Sequence, residues 1–329
     1  MIRLTGVELR RLVSRRLVVI GVAALLLITG IMLVATWQNA KPLSAAEQRN
    51  AQVNFEQAQK DWQEHGEEYK KQCLQDYQSQ PDPKPKLEDF CQVNPPTLDQ
   101  FGKPMAKFTE LMPDLLLGSS YLLAFGAFLI GASFVGAEFS SGSISNWLTF
   151  EPRRLRVYGS KLIAAATGML PVAVVLLAIL LAGVYLIVGA LGTTAGTTGK
   201  VWGDLSGTAG RAVLMAAAAG ALGGVLALLL RHTAAAVGVA MGYLVLVEGV
   251  FGGFLTKAQP WLVRLNFDAW IKHDTTYLVD NCRSTADGGY LCTQIEKTLS
   301  FEHGAWYLGI VVVVLIALGA GVFQRRDIS

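Results

Sequence analysis

Four histidines, four cysteines and one glutamate deep inside an apolar run are the side chains of this 329-residue chain best placed to do chemistry. Gly131-Ala-Ser133 could supply a serine nucleophile, but such a serine needs a base facing it. His65, His232, His273 and His303 all fall outside the apolar runs, which argues against hydrolysis within a membrane. Glu248 is the acidic residue well inside an apolar run. An ionisable group there is costly, so it faces a cavity, a partner or the bundle interior, or lies near enough to the surface to be hydrated. As a functional group it would line a substrate path or carry a proton. The sequence holds no His-Glu-x-x-His or Cys-x-x-Cys pattern, so no metal site is expected. Gly196-Thr-Thr-Gly199-Lys200 lacks the glycine spacing and the following Ser/Thr of a phosphate loop. These residues point to no catalytic constellation and to no bound cofactor.

The elements that position these residues follow from composition. Hydrophobic residues make up 52% of the chain and charged residues 16%, well below the usual quarter. The apolar residues gather in six runs: 17–36, 114–135, 162–191, 212–230, 234–255 and 305–323. Each is about as long as the roughly 20 residues that cross a hydrocarbon layer. The expectation is an all-α integral membrane protein with six transmembrane helices. Arg231-His-Thr233 must be a tight turn between the fourth and fifth runs, because an arginine in mid-bilayer is expensive.

Positive charge orients the bundle. Residues 1–16 carry five arginines, 136–161 carries Arg153, Arg154, Arg156 and Lys161, 231–233 carries Arg231, and the tail 324–329 carries Arg325 and Arg326. With six spans all of these fall on one side, which places both termini in the cytoplasm. The long segment 37–113 has nine Lys/Arg and twelve Asp/Glu, and long loops cross largely regardless of charge. Cys73 and Cys91 lie in that segment, and Cys282 and Cys292 in 256–304, both on the expected oxidising side. The placement suggests pairs 73–91 and 282–292, although four cysteines allow three pairings.

The connecting segments are not blank. Residues 1–16 place Ile2, Leu9, Leu12 and Val13 on one helical face, which suits an amphipathic helix on the cytoplasmic membrane surface or a plain charged flank. Ser44-Ala-Ala-Glu47 is a capping box. Phe55, Trp62 and Tyr69 then recur along one face of a helix to about Tyr77, which Pro81, Pro83 and Pro85 would stop. That segment is expected to be an external helical insertion. Loop 192–211 is expected to be an external connection. In 256–304, Trp261, Leu262, Leu265, Phe267, Trp270 and Ile271 suggest interfacial or re-entrant helices. A polar hairpin around Asp287-Gly-Gly289 follows, closed by Cys282 and Cys292. Glycine pairs 220/224, 238/242 and 249/253 permit close helix approach.

Segment 136–161 is the most informative. Glu138 leaves the second run, a Gly/Ser turn at Gly142 follows, and Ile144, Trp147, Leu148 and Phe150 make a short amphipathic stretch before Glu151-Pro152-Arg153-Arg154 and Lys161. In this order the segment resembles bacterial permeases of the ABC-2 family, and the six-run layout and basic N-terminus are similar across essentially all the spans. The subgroup with an enlarged first external domain is the nearest likeness. The resemblance implies a permease subunit of an ATP-driven exporter in a bacterial plasma membrane, paired with a second permease chain as a homodimer or heterodimer. It implies a separate ATP-binding subunit on the cytoplasmic side that holds the ATP, so the chain itself is not an enzyme. It also implies that residues 142–150 form a coupling helix, with Glu138, Gly142, Ile144, Trp147, Arg153 and Arg154 as coupling residues. Glu138 would offset the positive end of that helix. Membrane lipid is the other expected partner, and nucleic acid is not. Two other readings compete: a membrane-anchored assembly or sensor protein whose external domain binds a ligand, and an intramembrane enzyme.

Overall fold

The computed structural model describes residues 2–80, 84, 86–140, 142–144, 149, 151–254, 256–284 and 290–325. Six helices are long and apolar enough to cross a membrane. They are Arg16–Ala40, Phe108–Ser140, Arg154–Leu191, Gly199–Leu230, the continuous run Thr233–Phe251, and Phe301–Arg325. They are called spans one to six below. A separate N-terminal helix, Ile2–Ser14, precedes them.

Several spans outrun the apolar runs that mark them. Span three has 38 residues, about 57 Å at 1.5 Å per residue, so it extends well past a ~30 Å hydrocarbon layer. Span four begins at Gly199, where the Thr198 hydroxyl accepts from the Val201 amide, so the expected loop 192–211 shrinks to residues 192–198. The capped start Gly-Lys-Val-Trp-Gly-Asp, with two charges in six residues, is helical without being apolar, which is why the apolar run begins later than the helix. Span four ends at Leu230. Arg231 adopts a left-handed conformation (φ 56°), and the His232 ring accepts the Ala234 amide, which makes the expected tight turn.

Spans two, three and four form the centre. Spans two and four each bury 44% of their most apolar window, against 11% for spans one and five. The outer spans therefore present most of their apolar surface outward, as hydrocarbon requires. Spans two and four approach through backbone. A Cβ on Gly131 would lie 1.9 Å from the Gly220 carbonyl oxygen, and one on Gly223 would lie 2.1 Å from that of Phe128. The 220/224 pair thus packs within the chain, whereas Gly238 and Gly242 face open space.

Between spans one and two, Ala45–Gln78 is a single helix begun by the capping box. The Ser44 hydroxyl accepts the Glu47 amide at 3.3 Å, and the Glu47 carboxylate accepts from the Ser44 amide at 2.8 Å. Its aromatic face is only partly used: Phe55 meets Phe101, while Tyr69 is exposed and donates to Asp61. Cys73 is bonded to Cys91. The prolines expected to stop this helix, Pro81, Pro83 and Pro85, lie outside the described residues.

The all-α expectation is corrected between spans five and six. Thr275–Ser284 (β1) and Tyr290–Leu299 (β2) pair as an antiparallel hairpin, with Cys282 opposite Cys292 and bonded to it. Thr275, Thr276, Tyr277 and Val279 face a strand bearing Thr293, Ile295 and Thr298, and such residues favour a pleated surface. An isolated hairpin is marginal in water, and here a covalent bond joins its strands. The turn Asp287-Gly-Gly289 lies outside the described residues.

Candidate functional site: a buried charge cluster at one end of the bundle

The N-terminal helix, the start of span one, the end of span two and the start of span three meet at one end of the bundle. The N-terminal helix packs Leu9 and Leu12 against Gly168 of span three. Its buried face runs through Glu8 and Leu12, at i and i+4, with Leu9 half-buried beside them. Val13, expected on the apolar face, is exposed instead, and the fully buried Glu8 takes part in the inward face. A carboxylate is tolerated there because Lys161 of span three meets it, with Nζ to Glu8 Oε1 at 2.9 Å.

Lys161 also bonds Glu138 Oε2. The other oxygen, Glu138 Oε1, accepts from Arg15 Nη2 at 3.1 Å and lies 3.7 Å from Arg11 Nη1. The side chains of Glu8, Glu138 and Lys161 are each at most 2% exposed. Arg15 occupies the extended break between the N-terminal helix and span one, and this break aims its guanidinium inward. The Phe134 ring lies 5.0 Å from that guanidinium and 5.7 Å from the Lys161 ammonium, within cation–π range. Two buried carboxylates thus meet one buried cation, Lys161, and two partly exposed ones, Arg15 and Arg11, drawn from three separate stretches of chain. Removing the buried Lys161 would strand the buried Glu8, at about 3–5 kcal/mol.

The Glu138 carboxylate is held by Lys161 and the arginines, and its backbone carbonyl accepts from the Ser143 hydroxyl at 3.5 Å. Gly142 turns the chain with φ 66°, and Ile144 is buried in the core. Trp147, Leu148 and Phe150 lie outside the described residues. Arg153 is exposed at the N-cap of span three. Arg154 donates to the Gln324 carbonyl at 3.4 Å, so it ties span three to the last turn of span six.

The other sequence candidates lie elsewhere. Glu248 is on span five, away from the cluster; it is buried and accepts from the Tyr243 hydroxyl and the Val263 amide, each at 2.7 Å. Ser133 gives its carbonyl to Arg15, and no histidine bonds it among the described residues. Instead His65 pairs with Asp61, His232 caps its own helix, His273 stacks on Phe301 and His303 lies edge-on to Trp261. Glu8, Arg11 and Arg15 were not among the residues the sequence singled out for a site. The available signal is one acidic residue among the five arginines of residues 1–16, four positions before Leu12.

The family model described as ABC-2 family transporter protein matches residues 3–328. The chain belongs to that family. No curated protein and no solved structure matches it. It is a multi-pass membrane protein of a family whose members are the transmembrane components of transporters and normally pair with an ATP-binding subunit.

Proposed function

We propose that this chain is the permease subunit of an ATP-driven exporter, coupled to a separate ATP-binding subunit through the N-terminal helix and residues 136–161. The observation that carries the reading is the buried cluster of Glu8, Lys161, Glu138 and Arg15. It fuses the N-terminal helix to spans two and three directly beside Gly142 and Ile144. A push on that surface would reach two central spans without being absorbed by a flexible joint. The positive charge gathered at this end supports a cytoplasmic location for it. The two disulfides fall in the segments this reading places outside, where thiols oxidise. Exposed Arg153 is available to an acidic group of the ATP-binding subunit, and its neighbour Arg154 also donates to the Gln324 carbonyl of span six. Transport is then a change in the populations of inward- and outward-facing arrangements, driven by ATP-dependent closure of the partner pair.

Purification of the full chain from its native membrane tests this directly. An ATP-binding protein should come with it, and Arg153→Glu should weaken its retention without lowering the melting temperature of the chain. Reproducible recovery of the chain with no ATP-binding partner would sink the proposal.

A further inference from the structure

The opposite end of the bundle holds a ten-residue helix, Val263–Lys272, just ahead of the hairpin and span six. Its N-cap residue is Leu262, which has no side-chain acceptor for the first free amides. Glu248 of span five takes that place from a distance. The Val263 amide donates to Glu248 Oε1 at 2.7 Å, and the Arg264 amide lies 3.3 Å from both carboxylate oxygens. At the other end, the Ile271 carbonyl accepts from Arg211 of span four, with Nε at 3.1 Å and Nη2 at 2.9 Å. An anion therefore sits at the positive end of the helix dipole and a cation at its negative end.

The same helix also touches spans two and six. Tyr121 of span two donates to Asp268 at 2.6 Å and stacks on Phe267 at 4.3 Å. Trp270 donates to the Arg211 carbonyl at 3.1 Å and stacks on Phe301 of span six at 5.1 Å. Irregular backbone flanks it on both sides. Glu248 lies in a π-helical stretch, Tyr243–Phe251, and a 3₁₀ turn, Thr256–Trp261, follows. His273 (φ 65°) and Asp274 (φ 116°) come directly after the helix, and both are non-glycine residues held in strained conformations. Strain of this kind persists only where the surroundings impose it, and it concentrates at switch regions.

We propose that Glu248 and Arg211 are positioning residues that clamp helix 263–272 from its two ends, one to span five and the other to span four. Loss of either charge loosens the helix locally while the central spans keep their packing. The clamp does not rest on the transport reading. The test is hydrogen exchange on the full chain in lipid nanodiscs, comparing wild type with Glu248→Gln, Arg211→Met and Arg211→Lys. Glu248→Gln keeps an acceptor and removes the charge, so amides 263–272 should exchange about ten-fold faster while spans two to four stay protected. Arg211→Met should do the same, and Arg211→Lys should keep most of the protection. Unchanged exchange at 263–272 in both neutral variants would overturn the proposal, as would equal loosening of all spans. Arg211→Lys exchanging as fast as Arg211→Met would overturn the charge argument. These readouts need neither ATP nor cargo, so they stand or fall apart from the assignment of an ATP-binding partner.

Discussion

Glu138 and Glu248 are two buried carboxylates in one bundle, and the protein satisfies them by opposite means. Glu138 is neutralised by full charges: Lys161 and Arg15 bond it, and Arg11 stands within ion-pair distance. Glu248 is satisfied by dipoles: two backbone amides at a helix start and a tyrosine hydroxyl. Charges buried together are strongly interdependent, because removing one leaves the others uncompensated. A carboxylate on a helix start is a weaker, separable contact. The first arrangement makes an interdependent junction, the second a separable one. Between the two ends, the glycine contact of spans two and four makes a stiff connection.

Lys161→Met is the sharpest way to break this contrast. It strands Glu8, leaves Glu138 to Arg15 and Arg11, and should cost about 3–5 kcal/mol, read as thermal stability of the purified chain. Adding Glu8→Gln to that variant should recover part of the loss, because the two residues share one interaction. Simple addition of the two losses would show that the cluster does not act as a unit. The connection between the ends comes next in size. Gly131→Ala forces a Cβ into the Gly220 carbonyl and should destabilise by about 1–3 kcal/mol, whereas Gly238→Ala, facing open space, should leave the melting temperature unchanged. Equal effects at the two glycines would remove the stiff connection from the comparison.

The smallest expected effect lies outside the bundle, at the capping box. The hydrogen bonds from Ser44 hold the Glu47 carboxyl below the usual glutamate range. A depressed folded value contributes to the helix start above the ordinary carboxylate pKa, and that contribution is lost as the pH falls through the folded value. NMR titration of Glu47 should therefore place it below the ordinary glutamate value, and Ser44→Ala should move it back toward that value.

What could be read from the chain alone is what short windows encode. Apolar runs of bilayer length marked six spans. Ser44 and Glu47, three residues apart, marked a helix start. Arg231 between two apolar runs marked a turn, and cysteine placement suggested the two pairings that the structure contains. The hairpin was legible at its cysteines but not as strands, because its alternation is mostly polar and carries no strong hydrophobic period. Polar first turns, such as that of Gly199, hid the true starts of spans.

Tertiary structure alone decided the fate of the charges. Glu8 became an inward-facing residue only because Lys161 stands opposite it, 153 positions along the chain. Glu248 became the cap of a helix that begins 15 residues later, and Arg211 its counterpart at the other end, 60 positions from Ile271. Hydropathy is a property of each residue and its near neighbours, so sequence determines which segments enter the membrane. A buried charge is stable only with a partner of the right sign and geometry, and that partner is chosen by how the spans pack.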